Sequence, residues 1–116
     1  MATFTPVAIF EGVMLPNAAA ATPGLFASPA NTRTKITAFN VVNTDTVARV
    51  LSVHIVASGG TASATNLVAK TEPIGPGAAY PVYQAIGQVL EAGDFITAFG
   101  DAASVLAARA SGLKVV

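Results

Sequence analysis

Cysteine and tryptophan are both absent from the 116 residues. Without cysteine there can be no disulfide staple, thiolate metal site or thiol nucleophile, so stability has to come from packing alone. Charge is almost as scarce: 10% of residues are Asp, Glu, Lys or Arg, against about 25% in an ordinary soluble domain. Six basic and six acidic side chains cancel. No net field therefore steers nucleic acid or anionic lipid toward the chain, and neither a nucleic acid nor a membrane is expected as a partner. Long apolar runs are also missing, because Thr, Asn, Arg, Ser and Gly break every stretch before the roughly 18 residues a membrane helix needs. Residues 1–20 read as mature sequence rather than a signal peptide, since no Lys or Arg precedes the apolar part and Glu11 sits inside it.

What is present is apolar. Hydrophobic residues make up 53% of the chain and the mean hydropathy is +0.61. With zero net charge, such a chain tends to self-associate, so much of its surface is expected to be covered by partners. The length suits one domain with one core.

The local pattern is that of strands. Val7 to Leu15 is rich in large and β-branched side chains between Pro6 and Pro16, which predicts a first strand. Pro16 to Asn31 holds three prolines and a glycine and predicts an extended arm or long loop. From Arg33 the signal becomes regular. Residues 33–43 predict a strand, the Asn-Thr-Asp-Thr of 43–46 a turn, and 47–57 the returning strand of a hairpin. Ser58 to Asn66 predicts a surface loop, 67–74 another strand, 75–77 a tight turn, and 79–90 an irregular extended run with Pro81 suited to an edge. Turns at 92–94 and 101–104 flank a strand at 95–100, and 105–116 predicts a terminal strand bent or bulged at Gly112. The alanines of 102–110 also admit a helix, but Val105 and the ending from Gly112 favour the strand. Short strands with turns every eight to twelve residues or so predict an all-β, antiparallel sandwich of jelly-roll or immunoglobulin-like type. Residues 1–31 would supply an arm, first strand and long loop, and 33–116 the body.

Catalytic chemistry finds little to work with. His54 is the sole histidine and has neither cysteine nor a second histidine to share a metal with. Glu72, Glu91, Asp94 and Asp101 show no spacing that selects an acid/base pair, and the two aspartates sit at turns where they bind backbone. Ser111 and Lys114 match the S-x-x-K pattern, yet on a strand residues three apart point to opposite faces. The glycines of 58–61 lack the lysine that a nucleotide loop requires. Tyr80 and Tyr83 are the only candidates for an aromatic sugar platform, and they too are three apart. The expectation is a protein that is not an enzyme, with no catalytic residue, metal or cofactor.

Three features of the body carry a resemblance: TKITAFNVVNTDTVARVLSVHIVASGGTASATNLV, then PIGPG, then VLEAGDFITAF with SVLAARASGLKV. Over residues 33–116 this arrangement resembles small β-sandwich virion proteins of tailed bacteriophages. The resemblance implies a capsid cement or decoration protein, or a part of a tail, neck or fibre. The absence of coiled-coil heptads and of glycine-x-y repeats, together with the apolar opening, turns the expectation toward a cement on the outer capsid surface of a virion. Its expected partners are the major capsid protein and further copies of itself, as a homodimer or homotrimer. A receptor- or glycan-binding module is the alternative from another class. Phe4, Phe10, Leu25 and Phe26 are the candidate interface residues, because they lie in or beside arm-like segments whose burial by the domain itself is least assured.

Overall fold

The computed structural model of the chain describes residues 3–18 and 24–116. Within them run nine strands: β1 (Phe4–Met14), β2 (Phe26–Ala27), β3 (Arg33–Asn43), β4 (Arg49–Val56), β5 (Leu67–Ile74), β6 (Ala79–Pro81), β7 (Val89–Leu90), β8 (Phe95–Gly100) and β9 (Leu106–Val115). All pair antiparallel, in one sheet of order β1-β9-β3-β6 with β7 also on β3, and a second of order β2-β8-β4-β5. The pairs nest: β1 with β9, β2 with β8, β3 with β6 and β7, β4 with β5. A ribbon doubled back on itself and wrapped into two layers is the jelly-roll form of the β-sandwich.

Alternation along the strands builds the core between the layers. On β3, Ile36, Phe39 and Val41 point inward, where they meet Leu51 and Val53 of β4 and Ile96 and Ala98 of β8. Each large apolar side chain sealed from water there contributes roughly 1.5–3 kcal/mol.

Three expectations need correction. Strands β3 and β4 do not form a hairpin, for they lie in different sheets, and residues 44–48 arch across the end of the sandwich. The physical reason is Asn43, which is fully buried. Its Nδ2 donates to the carbonyls of Val47 and Ile74, both at 2.9 Å, and its Oδ1 accepts from the Asp45 N–H at 2.9 Å. These bonds turn the chain off the first sheet, and β4 then pairs with β5 and β8. Next to the arch, the Asp45 carboxyl is held below its ordinary value of 3.8, first by the Arg49 guanidinium and then by the Thr46 N–H, with desolvation working against them.

The N-terminal arm is the second correction. Phe4, Thr5 and Pro6 are already part of β1, in register with Val115, Lys114 and Leu113 of the same chain. The Pro16–Asn31 segment, where described, likewise folds onto its own body: the Leu25 N–H donates to the Ile96 carbonyl at 2.9 Å and β2 pairs with β8. Gly24 is confined there, since a Cβ would stand 2.5 Å from the Ile96 carbonyl oxygen. Residues 19–23 lie outside the described set.

Phe10 is the third. A bulge at Ile9 adds one residue to β1 between the Ala8–Ser111 and Phe10–Ala110 pairs. The extra residue resets the alternation, so Ile9 and Phe10 both turn inward. Phe10 is only 7% exposed and meets Phe39 edge-on at 5.2 Å between ring centres. It belongs to the domain core and is unavailable to a partner.

Candidate functional surface

The residues weighed for chemistry and set aside make the following contacts. His54 is buried, stacks on Phe99 and lies with Nδ1 2.8 Å from Asn66 Oδ1. Asn66 Nδ2 donates to the Thr61 carbonyl at 2.8 Å, which assigns Oδ1 as the acceptor and so places the histidine proton on Nδ1. The pair pins the 57–66 loop to β4. Asp94 closes the 91–94 turn through the Glu91 N–H at 2.9 Å and ties it to the Ser58 N–H at 3.0 Å. Glu91 pairs with Arg33 at 2.9 Å, and Asp101 lies 3.9 Å from Arg49. Among the described residues no group of three His, Asp or Glu side chains could hold a metal ion. Ser111 and Lys114 fall on opposite faces of β9, where Ser111 is paired with Ala8 and Lys114 with Thr5.

Of the four candidate interface residues, Phe4 stands 66% exposed. Leu25 and Phe26 are half-buried against the core of their own domain, and Phe10 is inside it. The structure does not bring the four together into one patch.

What it does assemble is a surface that no single segment of sequence announces. Residues paired across strands share a face, so the ladders on either side of β9 set out the outer face of the first sheet in rows. Phe4 and Pro6 on β1 stand beside Val115 and Leu113, which stand beside Arg33 and Lys35 on β3. The next row is Ala8, Ser111 and Ala38, followed by Glu11, Arg109 and Asn40. Met14, Ala107 and Val42 complete it. Apolar and small side chains alternate with four charged ones, Arg33, Lys35, Glu11 and Arg109.

The Ala8–Ser111–Ala38 row is hollow. Two depressions of about 480 and 260 Å³ meet there, sharing Ala8 and Ser111 in their walls. The bulges at Ile9 on β1 and Thr37 on β3 flank Ser111 from both sides and add local twist. Beside Ser111, Gly112 has no room for a side chain, because a Cβ would run into the Lys35 carbonyl. Its absence lets the two strands close up.

At the far edge of the same sheet, the turns of 82–88 and the start of β7 carry further exposed apolar side chains. Tyr83 is 70% exposed, and Ile86 and Val89 are exposed near it in the chain. Tyr80 is half-buried and donates its hydroxyl to Gln84 Oε1 at 3.1 Å, so the two tyrosines do not form a common platform.

No protein-family model matches the chain, and no curated protein or solved structure shows a significant match to it.

Proposed function

We propose that this chain is a non-enzymatic virion structural protein, a cement or decoration protein that sits on the outer surface of a capsid and strengthens contacts between capsomers. The observation that carries the reading is the set of exposed large apolar side chains, Phe4, Met14 and Val42 on the outer face of β1, β9 and β3 and Tyr83, Ile86 and Val89 at its far edge, on a chain with 10% charged residues. A monomer gains nothing from leaving such side chains in water. A bridging protein needs two contact regions, one for its own copy and one for the shell. The resemblance of residues 33–116 to small phage virion proteins supports the same reading. So does the jelly roll, an architecture found among viral capsid proteins, although lectins and cupins share it and a fold alone assigns no function. Symmetry then multiplies modest contacts into tight binding without any chemistry.

The test is co-sedimentation of the full chain with shells assembled from candidate major capsid proteins. Truncation of residues 1–31 is unsuitable, because β1 and β2 are parts of the sandwich. The comparison is with Tyr83→Asp combined with Ile86→Asp. Stoichiometric binding that the double substitution abolishes supports the cement. Absence of binding to any shell, with the protein located in tails of purified virions, overturns it in favour of a tail or neck component. The exposure of Tyr83 also bears on the glycan alternative, which gains support if a glycan array gives a signal that Tyr83→Ala removes.

A further inference from the structure

Arg33 pairs with Glu91 at 2.9 Å and Arg49 with Asp45 at 2.6 Å, whereas Arg109 makes no ion pair or side-chain hydrogen bond among the described residues. It is not idle in space. Arg109 lines the depression of about 260 Å³ together with Asn40 and Ser111, and the small side chains of Ala8 and Ala38 complete the wall. The Asn40 amide is also uncommitted among the described residues. Thr37 Oγ1 donates to the Ser111 carbonyl at 3.2 Å, which leaves the Ser111 hydroxyl open. We propose that this depression receives an Asp or Glu side chain of a protein partner, with Arg109 fixing its carboxylate. The inference rests on the reading of an assembly protein given above, and names the chemistry by which the outer face of β1, β9 and β3 is held.

A guanidinium presents its N–H donors in a planar fork that matches the two oxygens of a carboxylate. The Asn40 amide and the Ser111 hydroxyl are further donors, so an anion here draws on two neighbouring strands, β9 and β3. The room suffices. A hollow of about 260 Å³ holds a carboxyl group and several waters at roughly 30 Å³ each. Alanine at positions 8 and 38 keeps the sheet surface low beside Arg109, where larger side chains would fill the hollow.

The surrounding charge agrees with an acidic guest. Lys35, two rows away on the same face, has no ion pair among the described residues either, and Arg33 is already neutralised by Glu91. Glu11 is the cross-strand neighbour of Arg109 but forms no ion pair with it. Lys35 and Arg109 against Glu11 leave the face one positive charge in excess. A protein is the expected source of the carboxylate, because the hollow is open to solvent on its outer side. A free carboxylate would keep much of its water there and lose its freedom for few contacts. One carried on a protein is held in place by the rest of the contact. The adjoining hollow of about 480 Å³ shares Ala8 and Ser111 with the first and is walled by Pro6 and Leu113, which suits an apolar residue beside the acidic one.

The experiment is a titration of the isotope-labelled full chain with the peptide acetyl-Gly-Glu-Leu-Gly-amide, followed by NMR at the Arg109 Nε–H and the Ala38 and Ser111 amides. The same peptide with Gln for Glu, and acetate, are the comparisons. Saturable shifts are expected with the glutamate peptide, and binding about fivefold weaker or more with each comparison. Arg109→Gln is expected to weaken the glutamate peptide by about fivefold, and Glu11→Gln to tighten it by about twofold by removing a competing carboxylate. Lys70→Gln, on β5 of the other sheet, should change nothing. Equal binding of the glutamate and glutamine peptides, indifference to Arg109→Gln, or acetate binding as tightly as the glutamate peptide overturns the inference. Co-sedimentation separates it from the cement reading. Shell binding that survives Arg109→Gln, with no peptide response, overturns the inference and leaves the cement reading standing. An Arg109-dependent peptide response without binding to any shell supports the inference and removes the cement reading.

Discussion

Asn43→Ala should be among the most damaging single substitutions outside the apolar core. The side chain is fully buried and makes three hydrogen bonds, to the carbonyls of Val47 and Ile74 and from the Asp45 N–H. Each bond contributes about 1 kcal/mol net. The Val47 and Asp45 groups are partly exposed and can recover water, whereas the Ile74 carbonyl lies in buried surroundings and is left unpaired. An orphaned buried acceptor adds about 1–3 kcal/mol. Allowing for the water regained by the other two groups, the total is about 3 kcal/mol, a large share of the roughly 5–15 kcal/mol that holds a domain folded. At about 2.1 cal/mol/K of unfolding entropy per residue, that loss lowers the melting temperature by roughly 12 °C. Urea unfolding followed by circular dichroism measures the loss as a drop in midpoint of about 1.5 M for a slope near 2 kcal/mol/M. Thr61→Ala, at an exposed loop position, should stay within about 0.5 kcal/mol of wild type. If Asn43→Ala cost less than about 1 kcal/mol, the arch would not depend on this side chain and the reason given for the separation of β3 from β4 would fail.

Phe10→Ala removes a core side chain in edge-on contact with Phe39 and should cost about 3–5 kcal/mol in denaturant unfolding. Phe4→Ala, measured at low protein concentration, should stay within about 0.5 kcal/mol; equal costs would contradict the division between core and surface. Gly112→Ala drives a Cβ into the Lys35 carbonyl and should cost about 2–3 kcal/mol. Gly75→Ala, whose new Cβ would meet only the Ala78 Cβ at 4.0 Å, should be silent in the same assay. The folded-state pKa of Asp45 is lowered, so its pairing stabilises the fold above the unfolded value of 3.8 and is lost as pH falls through the folded value. Asp45→Asn should therefore flatten the pH dependence of unfolding below about pH 4, and a slope identical to wild type would refute the assignment.

Strands bounded by strong local punctuation were legible. The reading of 67–74 coincides with β5 and that of 95–100 with β8, because Gly, Pro and Asp turn residues act within a few bonds of the strand they end. The irregular run at 79–90 resolved into two short strands joined by turns, because Val82 and Gly87 donate to the carbonyls of Phe39 and Ile36 around the β3 bulge. The candidate surface was only partly legible. Phe4 is on it, while Phe10 was misplaced because a bulge shifts alternation by one residue and leaves no mark in composition. Ala8, Ser111 and Ala38 gave no signal at all, since small side chains look alike whether they line a trough or fill a tight strand contact.

The amino-acid sequence by itself determined the class of this protein. Scarce charge, absent cysteine, period-two alternation and frequent turn residues are local or additive properties, and they suffice for an all-β sandwich held by packing. Tertiary structure alone decided which strands share a sheet, that the N-terminal segment serves its own domain, and that residues about a hundred positions apart, such as Ala8 and Ser111, stand side by side. Alternation states that a strand has one buried face but not which strand lies beside it. That choice is made by long-range contacts such as that of Asn43 with the Ile74 carbonyl, 31 residues on in the chain, which form only once it has folded.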